Sequence, residues 1–422
     1  MIQGFKTRSD IHDILFRIYK FNITVNNDFV QSIMSKHKQE DIKLINNVVL
    51  NSMRYQFHSE KIINNYVKKK IKDHEKILLM SSITQIVFLK FSEYAVVNCS
   101  VEIAKHKNIY HGFINAVLKN ISKDKGKLIK TKVSYNDLPH WFKNQTKNLA
   151  QKDKNLFVNT FFKEPNLHLV FKGKKEFEKF EEKIIKTSQN SGFLKNKKKI
   201  DEIISYKDGN WWVQDFSSSL PLSSITKLNK YKKFLDMCAA PGGKSFQILS
   251  KNLNITLNDK SKIRIQLMKN NLDRLKFSPK IINENFENLD RNKKFDFIIL
   301  DAPCSSIGTI RKNPEIFFKS RKPEITKLVH IQSRMLKKAS EILEPNGIIL
   351  YMVCSFLYIE TYQQIENFLK ETKNFRLEKF TVSSKLFEYS KLIKNSCILT
   401  VPNYISGNTI DGYFAALLKN VE

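Results

Sequence analysis

LDMCAAPGGKS, Leu235 to Ser245, is the stretch that decides the fold. An apolar run, FLDM (Phe234 to Met237), leads into it, and a helix opens at Ser245. Small residues and paired glycines (Ala239, Ala240, Gly242, Gly243) let the backbone come close to a ligand. The helix start behind them supplies N–H donors. Pro241 and two glycines are costly to place in a turn that does nothing else. Neither the G-x-x-x-x-G-K-[ST] spacing of a phosphate loop nor the G-x-G-x-x-G of a dinucleotide site is present.

Three more short apolar runs follow: ITL (Ile255 to Leu257), FDFIILD (Phe295 to Asp301) and GIILYMV (Gly347 to Val353). Each fits a strand buried on both faces. Helical patterns over 261–276, 324–342 and 360–370 alternate with them, which predicts a doubly wound α/β sheet. In such sheets ligands sit at the carboxyl ends of the strands. Asp259 ends the second run, where an acid can bind the two hydroxyls of a ribose, and so points to a ligand with an adenosine part. LDAPCSS (Leu300 to Ser306) and VCS (Val353 to Ser355) each leave a cysteine at a strand end, Cys304 beside Asp301 and Cys354 after Val353. A lone cysteine is usually a small core residue, the reading kept for Cys99 and Cys397.

Residues 1–128 read as helical. Ile11, Ile14, Leu15 and Ile18 recur at helical spacing, as do Ile45, Val48, Val49 and Met53. Ile62, Ile63, Tyr66 and Val67 mark a third helix, ending in Lys68, Lys69 and Lys70. The run from Ile77 to Phe91 is apolar almost all round, as a central helix should be. A fifth helix, Phe113 to Ile121, is expected to stop before SKDKGK. Residues 129–228 mix helix and strand. LPHWFKN (Leu138 to Asn144) opens a helix, NLHLVFKG (Asn166 to Gly173) alternates as a strand does, and FEKFEEKIIK (Phe177 to Lys186) reads as an amphipathic helix. KNKKK (Lys195 to Lys199) is a concentrated basic run. The division is therefore 1–128, 129–228 and 229–422.

The chain has 422 residues, 41% of them hydrophobic, which excludes wholesale disorder. No run of 18 apolar residues argues for a membrane span, and the start carries no secretory signal. Five cysteines without C-x-x-C spacing make a disulfide framework or a metal site a poor reading, so reduced thiols in a cytoplasm are expected. Lys plus Arg number 72 against 41 Asp plus Glu, a net charge of +31. It divides as +11, +8 and +12 over residues 1–140, 141–230 and 231–422, so no single basic tail carries it. A bias toward Lys, Asn and Ile explains part; a polyanionic partner explains the rest.

Taken together, LDMCAAPGGKS, LDAPCSS, VCS and DGYFAALL (Asp411 to Leu418) resemble the RNA 5-methylcytosine methyltransferases of the NOP2/Sun (RsmB) family. GNWWVQDFSSSLP (Gly209 to Pro221) resembles the segment preceding that family's catalytic domain, and residues 1–128 resemble its NusB-like RNA-binding domain. The resemblance implies an all-α N-terminal domain, a small α+β RNA-binding middle domain and a Rossmann-like class I methyltransferase domain. It implies S-adenosylmethionine as cofactor and RNA as partner, with cytosine 967 of 16S rRNA as target. A cytoplasmic monomer, with no metal and no membrane, is expected.

By the family pattern Cys354 matches the nucleophile and Cys304 the cysteine that assists release. Asp301 matches the residue holding the cytosine's polar edge, and Lys244 points into that site. Cys238, Ala239, Ala240, Pro241, Gly242, Gly243, Lys244, Asp259, Asn285 and Asp301 match the cofactor residues. Three positions depart from the pattern: Val353 stands for Thr, Asn285 for an Asp near the adenine, and Asn313 for His. A tRNA or another rRNA site is the first rival target, and a non-catalytic RNA-binding assembly factor is the rival of another class.

Overall fold

The structure, a computed structural model, describes residues 4–196, 198–380 and 384–422; Lys197, inside the basic run Lys195 to Lys199, lies outside them. The chain begins with α1 (Phe5–Phe21), α2 (Asp28–Met34), α3 (Gln39–Arg54), α4 (Gln56–Tyr66), α5 (Asp73–Ile83), α6 (Glu93–His106), α7 (His111–Leu128) and α8 (His140–Gln145). The apolar stripes do what their spacing requires: Ile11, Ile14, Leu15 and Ile18 of α1 share one core with Ile45, Val48, Val49 and Met53 of α3. Every residue from Ile77 to Ile83 is buried, so α5 is the central helix. α7 runs on through the polar stretch expected to end it, because Leu128 reaches back into the core while the lysines around it stay in solvent.

Then come α9 (Gln151–Thr160), β1 (His168–Phe171), α10 (Lys174–Glu178), β2 (Ile184–Ser188), β3 (Ser191–Leu194), β4 (Trp211–Val213) and α11 (Phe216–Ser223). FEKFEEKIIK is not one helix: α10 stops at Glu178, and the chain re-enters as β2. β2 pairs antiparallel with β3 across a tight hairpin, Ile185 opposite Phe193, in a sheet of order β2-β3-β1-β4.

The larger sheet uses β5 (Phe234–Asp236), β6 (Ile255–Asn258), β7 (Lys280–Ile282), β8 (Phe295–Asp301) and β9 (Leu343–Val353), interleaved with α12 (Gly243–Leu249), α13 (Lys262–Arg274), α14 (Glu315–Phe318), α15 (Ile325–Glu341) and α16 (Tyr362–Glu371). β10 (Phe375–Glu378), β11 (Ile393–Lys394), β12 (Cys397–Thr400), a small hairpin of β13 (Asn403–Ile405) with β14 (Asn408–Ile410), and β15 (Tyr413–Asn420) complete the described strands. The strand order is β11-β12-β15-β9-β8-β5-β6-β7, with β10 also on β15. β9, β8, β5, β6 and β7 run parallel; β15 returns antiparallel against β9, which the expectation of a purely alternating pattern missed. Alternate residues of β9 serve two cores. Ile348, Leu350 and Met352 pack with Phe246 of α12 and Met268 of α13, while Ile349, Tyr351 and Val353 pack with Leu336 of α15 and Phe368 of α16. The sheet is thus covered on both faces, as parallel strands require.

The chain folds as two compact units. The first holds residues 1–147, 161–163 and 310–323; the second holds 148–160, 164–309 and 324–422. The small sheet joins the second because Val170, Phe193, Trp212 and Phe216 share a core with Phe234 and Leu257. Within the first unit, segment 310–323 lies against the helices: Arg54 donates to the Arg311 carbonyl at 3.2 Å, and Phe318 enters the helical core. Among the described residues no helix is long and apolar enough to cross a membrane.

Candidate active site

β5 and β8 are neighbours from which the chain proceeds in opposite directions, β6 and β7 one way, β9 the other. A crevice opens outside the carboxyl ends of the strands at such a switch point. Here it is a cleft of about 340 Å³, lined by Cys238 after β5, Asn258 and Asp259 at the end of β6, Asp301 at the end of β8 with Cys304 beyond it, and Cys354 after β9. Asn285, Phe286, Ile331 and Met335 line it as well. Of the residues expected to touch a cofactor, Cys238, Asp259, Asn285 and Asp301 line the cleft; Ala239, Ala240, Pro241, Gly242, Gly243 and Lys244 do not.

The glycine turn has a packing role the sequence did not reveal. Gly242 has φ 110°, and a Cβ there would sit 2.3 Å from the Phe246 ring, so the turn folds over its own helix. Asp236 anchors that turn, accepting from Ser245 Oγ at 2.7 Å and Cys238 N at 3.3 Å. Burial pushes the Asp236 carboxyl up to about 7, against the Ser245 hydrogen bond and the Lys244 charge. Asp259 also ties the turn: its carboxylate accepts from Ala240 N at 3.2 Å and Ser261 N at 2.9 Å, with Arg264 at 3.4 Å. Asn285 is exposed and donates to Glu287 at 3.0 Å.

The two cysteines that end strand runs meet. Cys304 Sγ and Cys354 Sγ are 3.3 Å apart, and Ser306 Oγ is 3.4 Å from Cys354 Sγ. Cys99 and Cys397 are buried elsewhere. Their neighbours drive the two thiols in opposite directions. The hydrogen bond with Cys304, aided by Ser306 and the Lys244 charge, holds Cys354 below its ordinary value, against burial and Asp301. The same hydrogen bond, with burial and the charge of Glu360, pushes Cys304 well above it. As a thiol Cys354 donates to Ser306; as a thiolate it accepts from the turned hydroxyl.

Asp301 is held at both oxygens. Lys244 Nζ lies 2.6 Å from Oδ2, and Tyr413 OH donates to Oδ1 at 2.8 Å. Burial works against the Lys244 charge, but Asp301 and Asp236 outweigh it and raise its pKa. Tyr413, Ser306, Arg264 and Asp236 all belong to the site, yet no role was read for them in the sequence. Tyr413, Asp236 and Ser306 stood inside quoted motifs; Arg264 carried no signal beyond its place in a helical pattern.

Residues 224–419 match the family model of the 16S rRNA methyltransferases RsmB/F, and residues 6–123 match that of the NusB family. Residues 224–419 thus carry the methyltransferase domain of the RsmB/F family. It is an RNA methyltransferase, and S-adenosylmethionine is its cofactor. Ribosomal RNA small subunit methyltransferase B of Proteus mirabilis is 26% identical, over 92% of this chain and 93% of its own. That of Photorhabdus laumondii subsp. laumondii is 29% identical, over 75% and 79%. The crystal structure of PH0851 shares the fold over 100% of this chain and 99% of its own, with TM-score 0.70 and 20% identity. NSun6 from Pyrococcus horikoshii, solved with SFG, shares it over 68% and 99%, with TM-score 0.53 and 17% identity. The helical first unit carries the NusB match, and the second carries the Rossmann-like methyltransferase.

Proposed function

We propose that this methyltransferase modifies carbon 5 of a cytosine in 16S rRNA, with cytosine 967 as the expected position, through a covalent adduct at Cys354. The observation that supports it is the pair of thiols 3.3 Å apart, shifted in opposite senses, beside an Asp301 carboxylate held by Lys244 and Tyr413. Carbon 5 of cytosine is a poor nucleophile. Cys354 Sγ adds to carbon 6, forming an S–C bond and making carbon 5 enamine-like. Asp301 takes the polar edge of the base, with Lys244 compensating its charge. The enamine pair at carbon 5 would then take the methyl group as the methyl–sulfur bond of the sulfonium breaks, that bond's electron pair staying on the cofactor sulfur, which leaves as a neutral thioether. Carbon 5 loses its proton, the carbon 6–sulfur bond breaks, and its electron pair returns to Cys354, with Cys304 assisting the release.

S-adenosylmethionine, when bound, supplies the methyl group on a positively charged sulfonium. The cleft fits such a group: it offers the buried Asp259 carboxylate for a ribose and Phe286, Ile331 and Met335 as apolar walls. The Asp259 oxygens already hold the turn, so this residue would bind the ribose while fixing the loop around it.

The two cysteine variants should fail differently. Cys354→Ala should bind RNA and form no covalent adduct. Cys304→Ala should attack, transfer the methyl group and release slowly, leaving an RNA–protein species that survives denaturing electrophoresis. The opposite pattern would move the nucleophile to Cys304, and near-normal turnover by either variant would reduce that cysteine to packing. Bisulfite sequencing of rRNA from cells with and without the gene identifies the nucleotide.

A further inference from the structure

Glu360 is fully buried, and its carboxylate is bound by neutral donors from three parts of the second unit. Oε1 accepts from Ser305 N at 2.8 Å and from Gln332 Nε2 of α15 at 3.2 Å. Oε2 accepts from Ser305 Oγ at 2.5 Å and from Ser355 Oγ at 2.6 Å. Its own carbonyl accepts from Tyr351 OH at 2.9 Å, which fixes the short turn to β9. Ser305 directly follows Cys304, and Ser355 directly follows Cys354. A carboxylate withdrawn from water is costly unless its lone pairs are filled, and here filling them draws two loops together.

We propose that Glu360 is the positioning residue that sets the separation of the two thiols, one carboxylate gripping the residue after each cysteine. The inference rests on the reading that both thiols serve one base. Gln332 steadies the arrangement from the side, since its Nε2 also reaches the Pro303 carbonyl at 3.0 Å and its Oε1 accepts from Gln364 at 3.1 Å. The paired ends of β8 and β9, closed by Ala302 N to the Met352 carbonyl at 2.9 Å, and the Gly308 N to Cys354 carbonyl bond at 3.0 Å fix the backbones on either side, and the Glu360 carboxylate adds the charged tie between the residues that directly follow the two cysteines.

The test reads the thiol pair directly. Diamide oxidises two adjacent thiols to a disulfide and is itself reduced to the hydrazine, taking up both protons. The native full-length chain should form the Cys304–Cys354 disulfide readily. Glu360→Ala, and the double variant Ser305→Ala with Ser355→Ala, should form it at least about tenfold more slowly. Their kcat should fall by as much as roughly a hundredfold, the scale set by a 1 Å misplacement of reacting groups. S-adenosylmethionine affinity should stay unchanged, and Glu360→Gln, which can still bridge both hydroxyls, should recover most of the disulfide rate. If Glu360→Ala does not fold, the double serine variant carries the test. A folded variant that forms the disulfide at the native rate overturns the proposal. A slow disulfide with undiminished methyl transfer would uphold the positioning role and overturn the two-thiol mechanism.

Discussion

Asp236 shows how one residue of the turn depends on pH. Its carboxyl is buried and raised to about 7, from an ordinary 3.8, while an unfolded chain would ionise it near the ordinary value. Between those two values the folded state holds a proton that the unfolded state has lost. Stability from this group is therefore complete below the lower value and declines as pH rises through 7. Asp236→Asn removes the titration while keeping partners for Ser245 Oγ and Cys238 N. The variant should melt close to the native protein at pH 4 and above it at pH 8. The gap should be at most a few kcal/mol, because a tenfold change in proton affinity is worth about 1.4 kcal/mol. Parallel thermal melts at the two pH values check it, and a native protein whose melting temperature is flat across the range would refute the burial argument. The neighbouring residues explain why nature would accept the cost: Asp236 carries Ser245, and through it the start of α12 that presents Lys244 to Asp301.

The loop after β8 and the start of β15 make the corresponding argument among elements. Gly308 donates to the Cys354 carbonyl, and its own carbonyl accepts from Gly412 N at 2.8 Å. A Cβ on Gly308 would lie 2.0 Å from the Gly412 carbonyl oxygen, which is backbone and cannot swing aside. Gly308→Ala should thus cost about 1–3 kcal/mol, as overpacking does, and lower kcat by displacing the Cys304 loop; melting and single-turnover methylation measure both. DGYFAALL was legible as a motif, but not as the antiparallel strand that brings Gly412 to Gly308 and Tyr413 to Asp301. The parallel strands were legible because burial on both faces leaves continuous apolar runs such as FDFIILD. Cys304 and Cys354 were legible together because each ends such a run. β2 was not: Ile184 to Ser188 is a half-exposed edge strand, and its acidic and basic neighbours share the periodicity of a helix. Glu360 hid for another reason. It reads as the first residue of a helix, and its role exists only once three distant segments have met. Asn313, read in IRKNPEI (Ile310 to Ile316) as a departure from the family pattern, lies in a segment, 310–323, that packs with the helices of the first unit through the Arg311 carbonyl and Phe318, which its local sequence does not announce. Pairings of high sequence separation leave no local periodicity.

Over the whole molecule the open question is what the charge of +31 is for. Both units are basic, and a lysine-rich composition by itself would place charge everywhere without regard to a ligand. RNA binding makes a different demand, because each phosphate contacted releases counterions and steepens the fall of affinity with salt. Lys68, Lys69 and Lys70 provide the discriminating case. They are consecutive and exposed, just beyond the end of α4, and the Lys69 ammonium lies 5.0 Å from the centre of the Phe113 ring. If all three lie on phosphates of the rRNA substrate, replacing them with Gln should shallow the plot of log affinity against log salt by about two, at roughly 0.7–0.9 per phosphate. The measurement is the salt dependence of full-length protein binding to a 16S rRNA fragment, native against triple variant. The folded catalytic unit is untouched by these substitutions, so the kcat of the variant at saturating RNA should match the native value. An unchanged slope would assign this run to compositional bias and leave the helical unit to dock a protein. A shallower slope with normal kcat would place the run in substrate capture, apart from the chemistry at Cys354.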